Sequence, residues 1–330
     1  MRFGALGRTA LIGLVATLVI TGCSSSDSKT GGTTNAGGLE KTDLLIGEYP
    51  GADAAPLFIA IERGFFKEQG LNVKTEAIQA PQAVLGKLAN GSMDVVLGSY
   101  PTILFIQSDP KNPRFKYIAD SYQGAAGAFG IMVPKDSPIK QVSDLKGKKI
   151  ATNALKGLGV LTMNPHLKIA GLDPDKDVTY VEMPTTAQIA ALGKGDVDAV
   201  WMTDPNVSQA KKDVGATMLL DTMSGPTENL PITGWAATEK WIADNPKTMA
   251  AFQKAMAKAQ NIAATDRAAV TKILPTFTQM KPETAASINL GNYPTSLSAQ
   301  RIQRVADLML EYKFITTKID VNSMIVQSQG

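Results

Sequence analysis

Two stretches of this chain carry the same signals in the same order, 104 positions apart. Leu88, Gly91, Asp94, Val96 and Pro101 return as Leu192, Gly195, Asp198, Val200 and Pro205. Upstream of each set, a strand-like run (Leu44–Gly47, then Lys148–Ala151) leads through a loop into helical sequence. Each helix closes on Gly-Leu, at Gly70-Leu71 and Gly171-Leu172, before a second strand. Alternating strands and helices read as βαβ units built on a parallel sheet. Two copies of that pattern predict two similar α/β lobes. Within the repeat, Leu-x-x-Gly-x-x-Asp marks a helix that ends on glycine, a turn, and a buried strand. Asp94 and Asp198 therefore read as turn residues rather than catalytic ones.

The pattern changes after Trp235. Residues 245–274 and 298–314 space their apolar side chains as helices do, with Asn245-Pro246 and Ser298 as their starts. Ile232–Thr238 reads as a strand that returns to the first lobe. The 330-residue chain is 44% hydrophobic, enough to bury a large core, and a length of this kind divides into two lobes.

The N-terminal end follows different rules. Arg2 and Arg8 precede an apolar run of 11 residues, Ala10–Ile20, about half of what a membrane-spanning helix needs. Its length and flanks fit a secretory signal peptide over residues 1–22. Ile20-Thr21-Gly22-Cys23 resembles a bacterial lipobox, whose cysteine is lipidated and becomes the mature N-terminus. The one cysteine of the chain stands where that reading requires it, which outweighs a chance cysteine after an ordinary signal peptide. Residues 23–41 are rich in Ser, Gly and Thr and read as a lipid-anchored tether.

Composition then excludes several classes. Without Arg2 and Arg8 the chain holds 31 basic and 30 acidic side chains. No run of basic residues argues for nucleic acid or for direct contact with lipid headgroups. With Cys23 assigned, no disulfide, CxxC pair or thiol nucleophile is left. His166 is the single histidine, too few for a zinc site, and it reads as an ordinary helical residue. Ser137-Pro138-Ile139-Lys140 and Ser143-Asp144-Leu145-Lys146 match S-x-x-K but lack the partner motifs of penicillin-interacting enzymes. No Walker motif or complete dinucleotide fingerprint is present, so no cofactor and no enzymatic activity are expected.

Four segments together resemble a known group: GEYPGADAAPLFIAIERGFFKEQGLNV, LANGSMDVVLGS, VPKDSPIKQVSDLKGKKIAT and AGLDPDKDVTYVEMPTTAQIAALGKGDVDAVW. They look like the substrate-binding proteins of ABC importers for sulfonate, taurine and nitrate, a group that includes thiamine-pyrimidine binders. The resemblance implies a two-lobed periplasmic-binding-protein type II clamshell, each lobe a mainly parallel sheet flanked by helices. Lobe I would take residues 42–127 and 233–330, and lobe II residues 128–232. It implies an extracytoplasmic lipoprotein, acting as a monomer, that captures a small sulfonate-like or taurine-like solute. The partners would be an ABC permease with its ATPase, and the membrane through the lipid anchor. A thiamine-precursor-like pyrimidine or another small aromatic solute is the alternative. A surface lipoprotein with the same fold and no transport role is the reading from another class. Relatives that synthesise the thiamine pyrimidine use histidine and a cysteine-rich motif, which this chain does not have.

Ligands of open α/β sheets sit beyond the carboxyl ends of the strands. The loops so placed are 48–53, 98–102, 153–162, 183–187 and 201–206. Tyr49 and Tyr100 offer a flat ring and a hydroxyl, or pack against their own lobe. Ser99, Thr162, Thr185 and Thr186 offer hydroxyls beside helix starts, or cap those helices. Trp201 follows a strand directed at the cleft and reads as a ligand platform, and Trp235 as a second one from the crossing strand. Asp53 reads first as a helix N-cap and Asp204 as the start of a turn, yet both acids fall on cleft loops with Lys156 as the one nearby cation. A solute carrying an amine or ring N–H suits that lining better than nitrate. In KGLGVLTMNPHLKIAGL, apolar Leu158 and Val160 replace the hydroxyls usual in sulfonate binders. There Asn164-Pro165 predicts a helix that starts late.

Overall fold

The structure is a computed structural model that describes residues 38–326, apart from 79 and 80. The signal peptide and Cys23 lie outside the described residues. Four strands come first: β1 (Asp43–Glu48), β2 (Asn72–Ala77), β3 (Val95–Ser99) and β4 (Phe115–Gln123). Five more follow: β5 (Phe129–Val133), β6 (Lys148–Thr152), β7 (Val178–Glu182), β8 (Ala199–Thr203) and β9 (Thr217–Asp221). The chain then returns with β10 (Pro231–Thr238). They form two five-stranded sheets, β2-β1-β3-β10-β4 in lobe I and β7-β6-β8-β5-β9 in lobe II. Between them the chain crosses at 124–128 and 222–230.

The sequence repeat becomes an equality of register. Ile46 and Gly47 face Val95 and Val96 in lobe I, and 104 positions on Ile150 and Ala151 face Ala199 and Val200 in lobe II. Each sheet has one strand running against the rest, β10 in lobe I and β5 in lobe II. In both cases it is the first strand after a crossing. This is the expected α/β clamshell architecture with mainly parallel sheets.

The repeated aspartates do the same job in each lobe. Asp94 Oδ2 accepts from Leu45 N at 2.9 Å and Asp198 Oδ2 from Lys149 N at 2.8 Å, tying β3 to β1 and β8 to β6. Gly91 and Gly195 sit just beyond their helices with φ of +75° and +77°, a conformation that favours glycine.

Helices α1 (Ala55–Glu62), α2 (Phe65–Glu68), α3 (Pro81–Ala89) and α4 (Tyr100–Gln107) belong to lobe I, and α5 (Leu158–Ile169), α6 (Thr185–Lys194) and α7 (Asn206–Val214) to lobe II. After β10 come α8 (Glu239–Asp244), α9 (Pro246–Thr265), α10 (Arg267–Phe277), α11 (Pro282–Ser287) and α12 (Ala299–Glu311). Helices α9 and α10 pack on α1, and α12 packs on α4, so the tail completes lobe I. Ser298 caps α12 by accepting from Arg301 N, as its sequence predicts. The central strands β3, β5 and β10 are almost wholly buried, whereas edge strand β2 is mostly exposed. Among the described residues no helix is long and apolar enough to cross a membrane.

Two local expectations change. Residues 39–41, assigned to the tether by composition, are docked on lobe I. Leu39 is buried, Glu40 accepts from the free N–H groups of Lys247 and Thr248 at the start of α9, and Lys41 pairs with Asp94 at 2.7 Å. Helix α5 begins at Leu158 rather than at Pro165, which lies inside it. Asn164 does not cap: its Oδ1 accepts from the Tyr180 hydroxyl at 2.7 Å.

Candidate ligand-binding cleft

A cleft of about 700 Å³ opens between the lobes, bounded by the carboxyl ends of β1, β3, β6 and β8. Six of the residues singled out from sequence line it: Tyr49, Asp53 and Ser99 from lobe I, and Thr185, Trp201 and Asp204 from lobe II. No lysine, arginine or histidine is among the described residues of the lining, and Lys156 stands outside it.

Asp53 lies in a 3-10 turn, Ala52–Ala54, that precedes α1. It is not the N-cap. That position falls to Ala54, whose backbone is already helical, and Pro56 occupies the first turn where no N–H is needed. The Asp53 carboxyl is thus left to face the cleft. Burial raises its pKa to about 6, although its own N–H, the Thr233 hydroxyl and the Ala54 N–H pull it down in part. Glu48, at the end of β1, is 4% exposed and is pushed to about 7 by burial and then by the charge of Asp53. Glu48 Oε2 and Thr233 Oγ1 are buried without a hydrogen-bond partner. Thr233 is near enough to Asp53 to bear on its proton affinity but does not reach hydrogen-bond geometry. Lobe I therefore presents one acid, Asp53, and an unsatisfied hydroxyl, with Glu48 buried outside the lining.

Asp204 is occupied. Its Oδ1 accepts from Ser208 N at 2.9 Å, and Oδ2 accepts from Asn289 N and Nδ2 at 2.8 and 3.1 Å. Asn289 follows α11 on lobe I and also donates to Gly127 O in the crossing segment, at 3.3 Å. Asp204 so links a lobe II loop to lobe I beside the crossing.

Trp201 is 5% exposed, with Nε1 donating to Thr222 Oγ1 at 3.1 Å and Phe129 tilted against it at 6.4 Å between ring centroids. Its other side rests on Gly159, where any Cβ would come within 2.8 Å of the indole. The helix of lobe II can approach the platform because that position is glycine. Helices α5 and α6 both start at the cleft without a side-chain cap, after Gly157 and Pro184. Their free N–H groups are the available donors on this side. In lobe I, by contrast, Ser99 Oγ caps α4 by accepting from Thr102 N at 3.3 Å.

Four expected residues are not in the lining. Tyr100 is fully buried, its hydroxyl donating to Asp120 Oδ1 at 2.8 Å. Thr162 sits inside α5, because that helix starts early, and its hydroxyl donates back to Leu158 O at 2.9 Å. Thr186 is on the exposed side of α6. Trp235 is wholly buried against Phe252. Strand β10 runs antiparallel, so its start, Ile232 and Thr233, reaches the cleft while Trp235 lies mid-strand. Thr233, Phe129 and Asn289 were not singled out. Glu48 ends a strand whose cleft-facing end the pattern does locate, whereas nothing local in the sequence brings Asn289 to this place. His166 is buried against Thr227, 2.9 Å from Nε2 to Oγ1, away from the lining.

A model of the NMT1-like family matches residues 37–274. The chain belongs to the NMT1-like family. The aliphatic sulphonate binding protein SsuA from Escherichia coli superposes on this NMT1-like chain with a TM-score of 0.73 at 21% identity, covering 88% of this chain and 93% of that one. The nitrate/nitrite binding protein NrtA of Nostoc sp. is 24% identical over 278 residues, 74% of this chain and 62% of its own. The bicarbonate-binding protein CmpA of Synechococcus sp. is 26% identical over 266 residues, 72% of this chain and 58% of its own. The chain spans from about a third to three fifths of the length of the first curated relatives it matches. The SsuA likeness bears out the two-lobed fold.

Proposed function

We propose that this chain is an extracytoplasmic solute-binding protein of an ABC importer, held at the membrane by lipid on Cys23 after removal of residues 1–22. It closes lobe I (42–127 and 233–330) and lobe II (128–232) on a small organic solute and delivers it, as a monomer, to the permease and its ATPase. The observation that carries this reading is the cleft itself: about 700 Å³, lined from both lobes by strand ends and helix starts. A ligand touching both lobes stabilises the closed arrangement by its differential affinity for it.

The solute we favour is sulfonate-like with an amine, as taurine is. Asp53 and Thr233 can receive N–H donors, and the uncapped starts of α5 and α6 suit an anionic end. The chain's relatives are named for nitrate, bicarbonate and sulphonate, yet an anion without a donor would meet Asp53 unscreened by any cation of the lining. A second reading, a thiamine-precursor-like pyrimidine, draws on the flat surfaces of Tyr49, Phe129 and Trp201 in the same lining.

A thermal-shift panel of taurine, isethionate, alkanesulfonates, nitrate, bicarbonate and aminopyrimidines tests this. A ligand at 100 times its dissociation constant stabilises by about 2.7 kcal/mol, several degrees in Tm. A response to taurine well above that to isethionate supports the favoured solute, and one confined to aminopyrimidines supports the second reading. Flat melting across the panel would sink both.

A further inference from the structure

Lobe I carries a second concavity, at the opposite end of its sheet from the cleft. It is about 890 Å³ and is lined by residues that precede β1 and β2, among them Leu39 and Gly70, together with α2 and α9. Three lysines border it: Lys67 on α2, and Lys247 and Lys254 seven residues apart on one face of α9. All three are exposed, and none forms an ion pair among the described residues. The acids nearby are committed elsewhere. Glu68 pairs with Lys258 at 2.5 Å, and the Glu40 carboxylate is held by the N–H groups of Lys247 and Thr248. The groove is thus left with three lysines that no carboxylate pairs with among the described residues, although the whole chain is nearly neutral. No basic run announces it, because positions 67, 247 and 254 are joined only by the packing of α2 on α9.

The chain arrives at this same groove. The Cβ direction of Gly38 points to Lys247 Nζ, 3.7 Å away, and Leu39 is part of the wall. Cys23 is fifteen residues upstream of Gly38. We infer that this lysine groove rests on the anionic headgroups of the membrane to which Cys23 is anchored, with the solute cleft facing outward. The inference rests on the lipid-anchored reading above. Acyl chains and a basic surface are the two kinds of signal that together hold a protein firmly at a bilayer. Strand β1 separates groove from cleft by its six residues, roughly 20 Å. The fifteen residues behind Gly38 can span at most roughly 50 Å. That length lets lobe I lie with the groove on lipid for capture, and turn over to bring the cleft to a membrane-embedded partner.

The test uses the chain from Ser24 onward, so that no lipid is attached. The described residues, which begin at Gly38, form a compact unit, and the cut does not enter it. Binding is measured by co-sedimentation with vesicles of phosphatidylcholine alone or mixed equally with phosphatidylglycerol, at low and high salt. Binding is expected only to the anionic vesicles and is released by salt. The triple variant Lys67→Glu, Lys247→Glu, Lys254→Glu should lose it by roughly 100-fold, from about five-fold per lysine. Reversal of Lys194, Lys211 and Lys212 on lobe II should leave it in place, as should the response to the solute panel in every variant. Lys254→Glu alone, a mid-helix exposed change, replaces the triple variant if that melts early. Equal binding to both vesicles, or an undiminished groove variant, overturns the proposal. Equal loss in the lobe II variant does so too, because the effect would then be one of net charge. Solute binding is read separately, so its failure and that of the vesicle assay are told apart.

Discussion

The two lobes share strand order, register and the aspartate that ties strands together, yet they face the cleft with opposite chemistry. Lobe I brings Asp53, whose pKa burial raises to about 6, with Glu48, raised to about 7, buried outside the lining, and its helix α4 is already capped by Ser99. Lobe II brings an indole and two helix starts with no side-chain cap. One lobe accepts hydrogen bonds and the other donates them. A duplicated scaffold can thus read the two ends of a dipolar solute, since backbone register is fixed by strand pairing while strand-end residues are free to diverge.

The largest expected effect separates the two buried tryptophans. Truncating Trp201 or Trp235 to alanine should cost each protein about 3–5 kcal/mol in denaturant unfolding. Calorimetric titration should then show that only Trp201→Ala loses the solute, because Trp235 lies mid-strand in lobe I. Equal loss of affinity in the two would make Trp201 a core residue of the same kind as Trp235.

Next comes the acid pair. The folded values of Asp53 and Glu48 lie above those of the unfolded chain, near 4. The folded state therefore holds their protons more tightly. Their contribution to stability is present at the acid end and is lost as pH rises from about 4 through 7. Asp53→Asn should stabilise the unliganded protein by about 2 kcal/mol at pH 8 and flatten the fall of Tm over that range. It should also weaken an amine-bearing solute at least ten-fold. A Tm that rises across this window would contradict the assignment.

These cases mark what the sequence could and could not disclose. The 104-residue repeat located both sheets, because the Leu-x-x-Gly-x-x-Asp element encodes a helix end and a strand start within seven residues. Asp53 was legible because it lies in the loop that follows parallel strand β1, and Trp201 because it lies within β8, whose carboxyl end opens on the cleft, although the expectation that it follows the strand is not met. Trp235 and Tyr100 were misplaced for want of strand direction and side-chain facing, which depend on the partner strands. Thr162 was misplaced because Asn164-Pro165 mimics a helix start, whereas helix α5 accommodates a proline in its interior. The occupied state of Asp204 depends on Asn289, 85 residues away and brought there only by the tail packing on lobe I.

That contact sets a smaller effect. Asn289→Ala removes the side-chain bonds to Asp204 and Gly127 O but keeps the backbone N–H to Asp204. A loss of about 1–1.5 kcal/mol is expected, since one bond goes to a charged acceptor at an exposed site. If the contact holds the lobes together, solution scattering should record a larger radius of gyration for the unliganded variant and the same radius once solute is bound. Unchanged scattering would reduce Asp204–Asn289 to a local fastening.

The smallest effect sharpens the contrast most directly. Ser99 Oγ fills one of the orphan N–H groups of α4, so Ser99→Ala should cost about 1 kcal/mol whether or not solute is present. Thr185 opens α6, where the cap position is Pro184 and no side chain satisfies the first turn. Thr185→Ala should therefore change unliganded stability by less than about 0.5 kcal/mol. Its cost should surface only with solute, as a loss of affinity of up to about ten-fold from one hydrogen bond to an anionic group. Unfolding and titration of the same two variants form a crossed pair: lobe I loses stability, lobe II loses binding. If Thr185→Ala destabilised the free protein as much as Ser99→Ala, its hydroxyl would be supporting the helix after all. The donor character assigned to lobe II would then rest on the start of α5 alone.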